Sequence, residues 1–202
     1  AYLKNVGDTT AKNFGIISIG RIAGQEGATD QVRNAGVTLL TDQFKNGGKT
    51  TERPYAALAL GLVCFENTTE LKYKISALIR GELSKMKGDK TALGAQAIAL
   101  GMIGDTDKET ITLLTKILQD RGADKKLRGN AAVALGMIGD ASAKEPILTA
   151  LKEREDRDLR VDTAVAAGLL RDSSAVKVLV DVLDDPKASQ FVLGSVALAL
   201  GQ

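Results

Sequence analysis

The chain has 202 residues, 44% hydrophobic and 26% charged, with a net charge of +2. That balance excludes a disordered chain and supplies no global attraction to nucleic acid or to an anionic membrane. One cysteine and no histidine exclude an internal disulfide framework and a Cys/His zinc site, and remove the commonest acid–base side chain. Aromatic residues make up only 3% and tryptophan is absent, so Ala, Leu, Ile and Gly must fill the core, which favours close-packed helices. No apolar run approaches the roughly 20 residues of a membrane span, and the opening AYLKNVGDTT lacks the apolar centre of a secretory signal. A soluble protein is expected, with the cytoplasm favoured and no membrane partner.

In chain order, one short motif recurs. It reads IISIGRI from Ile16, ALALGLV from Ala57, AIALGMI from Ala97, AVALGMI from Ala132, AVAAGLL from Ala164 and VALALG from Val196. The anchoring glycines are Gly20, Gly61, Gly101, Gly136, Gly168 and Gly201, spaced by 41, 40, 35, 32 and 33 residues. A period in that range marks a stack of repeats rather than a globular domain. The spacing predicts a second helix per repeat, called B, over 9–23, 52–64, 90–103, 126–138, 158–170 and 189–201. Between them, apolar residues at helical spacing predict the first helices, called A. Examples are Leu71, Ile75, Leu78, Ile79 and Leu83, and later Val176, Leu179, Val180 and Leu183.

The punctuation agrees with these elements. Asp105, Asp140 and Asp172 follow a motif and are expected to cap the next A helix, with Thr106/Glu109 and Ser142/Glu145 at capping-box spacing. NGG at 46–48, RGAD at 121–124 and DDP at 184–186 separate A from B helices. Pro54 and Pro146 fall in first turns, where a missing amide is tolerated. Each anchoring glycine costs about 1 kcal/mol of helix propensity against alanine. Its recurrence beside an alanine two residues earlier is therefore read as a device for close approach of neighbouring B helices.

These residues resemble the HEAT-like repeats, in particular the short type named after phycobilisome lyases. That pattern runs Val-Arg, a few residues, then Ala-Ala-x-Ala-Leu-Gly-x-Ile-Gly-Asp. Leu127-Arg128 with Ala131 to Asp140 follows it nearly residue for residue, and Leu159-Arg160 with Ala164 to Asp172 follows it more loosely. Arg53 and Lys12 hold the same basic position, whereas Leu93 and Leu193 replace it. The resemblance implies an all-α, right-handed α-solenoid of two-helix repeats, with B helices on its concave side. It also implies that the basic residue lies near an acid of an adjacent turn. The expectation is one array over 1–202 of about five to six repeats with incomplete ends, a stretch of a longer protein.

The functional reading concentrates on one stripe. The residue three before each anchoring glycine lies about 160° around the helix from the leucine that precedes the glycine. In the family this position is commonly polar. Here the inner four repeats carry apolar pairs: Leu58/Leu62, Ile98/Met102, Val133/Met137 and Val165/Leu169. A contiguous apolar surface rich in methionine suits an adaptable protein or peptide partner, as a helix or an extended segment. Two other readings stay open: burial of the stripe within the fold, and its coverage by another part of the same longer chain. The function expected is a protein–protein interaction scaffold. The alternative is a purely structural spacing segment of a larger protein.

Other chemistry is weaker. Acidic residues gather in B-to-A turns (Glu26, Asp30, Glu66, Glu70, Asp105, Asp107, Glu109). Basic ones gather in A-to-B turns (Lys45, Lys49, Lys85, Lys87, Lys90, Lys125, Lys126, Arg128). Helix dipoles explain that division. A phosphate-binding edge is disfavoured because acids are interspersed and no aromatics stand ready to stack bases. Cys64 lies in the apolar run LGLVCF without a base and reads as structural. The carboxylates of EREDRD at 153–158 and DTDKE at 105–109 read as solvated turns. The chain is accordingly expected to be a non-enzyme without metal or cofactor.

Overall fold

Short polar side chains open most of the helices. In a computed structural model describing residues 7–48, 51–64 and 69–202, eleven α-helices occur among the described residues. They are α1 (Thr9–Gly24), α2 (Asp30–Asn46), α3 (Glu52–Cys64), α4 (Thr69–Leu83), α5 (Lys90–Ile103) and α6 (Lys108–Gln119). There follow α7 (Lys125–Ile138), α8 (Lys144–Leu151), α9 (Arg157–Leu169), α10 (Val176–Leu183) and α11 (Gln190–Leu200). Asp8, Thr29, Asp89, Asp107, Asp124, Asp156 and Ser189 each accept a hydrogen bond from an amide two or three residues on. Such caps satisfy the orphan donors of a first turn and contribute about 1 kcal/mol each. The expected B helices are α1, α3, α5, α7, α9 and α11, and the A helices are α2, α4, α6, α8 and α10.

The turns after the motifs differ from expectation in their caps. Asp140 and Asp172 cap short 3-10 turns, Ala141–Ala143 and Ser173–Ala175, that lead into α8 and α10. Ser142 and Ser174 donate their hydroxyls to these same carboxylates, which lowers both aspartate pKa values. The expected Ser142/Glu145 box is thereby replaced. Asp105 does not cap α6. That helix begins at Lys108, so Asp107 accepts from the amide of Glu109 while Asp105 lies too far upstream. Asp105 is buried instead, accepting from the Ser76 hydroxyl and from Arg80 at 3.5 Å. Gly104 and Gly139 end α5 and α7 with φ of 67° and 74°, the left-handed region that glycine enters without a Cβ penalty.

The chain divides into two units, Ala1–Asp105 and Thr106–Gln202. In the first, α1 packs on α3 and α3 on α5, with α2 against α1 and α3, and α4 against α5. In the second, α7 packs on α9 and α9 on α11, with α6, α8 and α10 each against the B helix that follows it. Each unit is thus a row of B helices backed by a row of A helices. The core lies between the rows. Leu60, Ile75, Ile79, Leu83 and Leu100 are fully buried in the first unit, and Leu114, Leu118, Leu135, Ile147 and Leu151 in the second. Each such side chain contributes roughly 1.5–3 kcal/mol by leaving water.

The anchoring glycines are the contact points between successive B helices. A Cβ at Gly20 would lie 2.7 Å from the Ala59 carbonyl oxygen, and one at Gly136 would lie 2.7 Å from that of Ala166. At Gly168 it would meet Ala199 Cα at 2.8 Å, and at Gly61 Ala99 Cα at 3.3 Å. In all four cases the partner is the alanine two residues before the next anchoring glycine. The repeated Ala-x-Gly is therefore both halves of one joint. The helix presents its alanine to the repeat before it and its glycine to the repeat after it.

Candidate partner-binding face

The stripe positions follow from the same helix geometry. On α7, Ala132, Ala134, Leu135 and Gly136 are buried by neighbouring helices, which turns Val133 and Met137 outward on a shared face one turn apart. Met137 is 43% exposed and Val133 half-buried. On α9, Val165 is 37% exposed and Leu169 half-buried, between buried Ala164, Ala166 and Ala167. In the first unit, Leu58 and Leu62 on α3 and Ile98 and Met102 on α5 are all half-buried. Met102 rises beside Gly61, its Cβ 3.3 Å from the place a Cβ there would take. Leu62 also lines an open recess of about 680 Å³ with Ser18, Arg21, Ile22 and the turn at Gln25–Glu26.

No ionisable group stands at these eight positions. In the second unit, Lys126 lies seven residues before Val133, on the same helix face. Its ammonium pairs with Asp162 of α9 at 3.0 Å. Chemically the face offers apolar area and soft thioethers, with an ion pair near one end.

The basic turns are more heavily used than sequence alone indicates. Arg128, counted with the exposed edge, is buried. Its Nε donates to the Leu118 carbonyl at 2.7 Å and its Nη2 to Glu153 at 2.9 Å. Arg160 repeats the arrangement, with Nε on the Leu151 carbonyl at 3.3 Å and Nη2 on Asp185 at 3.2 Å. Each guanidinium closes the end of the A helix before it and reaches a carboxylate just past the next A helix. Lys125 pairs with Asp156 at 3.4 Å. These partners neutralise the later part of the basic edge, which removes the charge surplus a phosphate site needs. Asp156 and Asp185 are held below the usual carboxylate range, each first by a backbone amide. The residues that sequence reasoning missed are Glu153, read as a solvated turn, and Asp185, read only as part of the break between two helices. Their common offset of 25 residues from Arg128 and Arg160 was the available signal.

The remaining candidates are quiet. Cys64 is buried, and burial pushes its thiol up to about 12, so it is protonated and unreactive at neutral pH. Among the described residues, no group of three or more His, Cys, Asp or Glu is placed to hold a metal, and no helix is long and apolar enough to cross a membrane. Glu66 and Lys49 lie outside the described residues.

No curated protein matches this chain. Among solved structures it is similar to human deoxyhypusine hydroxylase in complex with glycerol, at 14% identity and a TM-score of 0.38, over 96% of this chain and 97% of that one. That protein is an enzyme by its name, and the expectation that this chain is a non-enzyme is withdrawn. The expectation rested on the absence of a catalytic signature, and a helical repeat architecture does not by itself decide whether a chain catalyses. The model of the family described as HEAT repeats matches residues 113–201. The match covers the buried arginines, their carboxylates and the Ala-x-Gly joints of α7, α9 and α11, and over these residues the chain is similar to HEAT repeats.

Proposed function

We propose that this chain is a protein–protein interaction scaffold that receives a helix or an extended segment along the outward face of its B helices. Residues Leu58, Leu62, Ile98, Met102, Val133, Met137, Val165 and Leu169 carry the contact, and 1–202 act as one repeat array. The observation supporting this reading is that none of the eight falls among the buried side chains, although the residues on either side of most of them do. Half-buried apolar side chains on a rigid helix face make a good receiving surface, because little of their freedom remains to be lost on binding. The methionines adapt to the shape of what is bound.

The test is replacement of Ile98 and Met102 together by glutamate, followed by affinity capture with wild type and variant side by side. A scaffold loses its captured partner while its helical signal and melting temperature stay close to wild type. A fall in melting temperature of many degrees would mark the stripe as structural core, and an unchanged capture profile would also sink the proposal.

A further inference from the structure

One recess inside the second unit carries charge that its own ion pairs do not use up. It opens between the end of α8, the start of α9 and the flank of α10, with a volume of about 200 Å³. Val178, half-buried, and Val182, buried, supply an apolar wall from α10. Arg160 lines the opposite side from α9, with Lys152 and Arg154 from the turn before it. Asp181 on α10 and Asp185 just past it complete the lining. Three cations thus face two carboxylates, which leaves a surplus of one positive charge.

The contacts within the recess also leave donors over. Arg160 is buried and fixed, with Nε on the Leu151 carbonyl and Nη2 on Asp185. Arg154 reaches the same Asp185 oxygen through its Nε at 3.3 Å. The other Asp185 oxygen accepts from the Lys187 amide at 3.1 Å, so that carboxylate is held on both sides. A guanidinium carries more N–H groups than these contacts use. Among the described residues, no acceptor is bonded to Nη1 of Arg160 or to either Nη of Arg154. The preceding repeat has the same clasp, with Arg121 and Arg128 on Glu153. There Gln119 follows Leu118 where Lys152 follows Leu151, and Thr149 precedes Glu153 where Asp181 precedes Asp185. The clasp is common to both repeats, and the later one adds a charge at each of two neutral positions.

We propose that this recess binds a single carboxylate on a short aliphatic stem, either a free short-chain acid or the side chain of a glutamate in a peptide. The carboxylate lies against Arg154, Nη1 of Arg160 and Lys152, where planar guanidinium forks match its shape. The stem lies against Val178 and Val182. One negative charge cancels the surplus, and Asp181 makes a second one unfavourable, which disfavours phosphate. The site is independent of the stripe assigned above.

NMR titration of the whole chain, isotope-labelled at the valine methyls, tests this with two probes, sodium isobutyrate and the blocked tripeptide acetyl-Ala-Glu-Ala-amide. In wild type the Val178 and Val182 signals shift and saturate with a carboxylate probe and stay in place with neutral isobutyramide. Saturation by isobutyrate alone marks a free acid as the ligand, and saturation by the tripeptide alone marks a glutamate of a peptide. Arg154→Gln weakens binding about tenfold. Lys152→Gln, which installs the residue of the preceding repeat, weakens it about threefold. Both variants melt like wild type, because both side chains are exposed. Asp181→Asn strengthens carboxylate binding and admits inorganic phosphate. The absence of a saturable shift with either probe overturns the proposal. Equal binding of isobutyramide overturns it too, as does an unchanged affinity in Arg154→Gln.

Discussion

The two units solve one packing problem with different polar fittings. Both join successive B helices through a glycine and the alanine of the next helix. In the second unit, buried Arg128 and Arg160 each tie one A helix end to a carboxylate past the next. In the first, Lys12 pairs with Glu52 at 2.7 Å, and Arg53 closes the end of α2 through the Gly47 and Lys45 carbonyls. Leu93 takes the third basic position, and the buried charge contact moves to Arg80 and Asp105. The difference teaches that the joint between backbones is the constant of this stack, whereas the polar ties in the turns are interchangeable. The family match at 113–201 falls where the arginine ties are present.

Substitutions can break that comparison. Arg128→Met is expected to cost the most, about 3 kcal/mol, because it leaves Glu153 partly buried opposite an apolar side chain. Denaturant titration measures it. Gly136→Ala follows, at about 2 kcal/mol. The new methyl collides with the Ala166 backbone, which cannot give way as a flexible side chain can. Its counterpart in the first unit, Gly61→Ala, meets Ala99 at 3.3 Å and is expected to fall within about 1 kcal/mol of neutral, the gain in helix propensity offsetting the tighter contact. If the two glycine variants proved equally costly, the Gly61 joint would be as tight as the Gly136 joint.

Arg53→Met, whose guanidinium bonds to carbonyls, should cost about 1.5 kcal/mol, roughly half the Arg128 value. Cys64 gives a probe of the first unit alone. Its buried thiol should resist a maleimide at neutral pH until that unit opens. Labelling at denaturant concentrations below the main unfolding transition would show that the first unit opens by itself, against the reading of one array.

The smallest effect concerns acid. The Lys12 ammonium, more than the Thr51 hydroxyl, holds Glu52 at about 2, against its ordinary 4.5. A depressed carboxylate contributes stability that is present above pH 4.5 and lost as pH falls toward 2. Lys12→Met should raise the Glu52 pKa, read by NMR titration of its side-chain carboxyl, and flatten the acid limb of the stability curve.

Much of this molecule is decided locally and is therefore legible in the residues. The B helices α3 and α5 begin and end where the spacing predicts, and at α5 the Asp89 cap, the apolar period and the left-handed Gly104 act within a few residues of one another. The Ala-x-Gly joint is legible for a similar reason. A residue that weakens a helix at one recurring position must be repaid by contact, and the period supplies its partner. The turns were harder to read. Asp105 and Asp107 both look like caps, and only the start of α6 at Lys108 separates a cap from a buried acceptor. Glu153 lies in a charged turn that reads as solvated, and Asp185 in a turn that reads only as a break. Desolvation depends on what folds over a group from 25 residues away, and no local pattern carries that information. The stripe is the intermediate case. Helical spacing alone places Val133 and Met137 on one face, but how much of each meets water was decided by the packing of whole helices against one another.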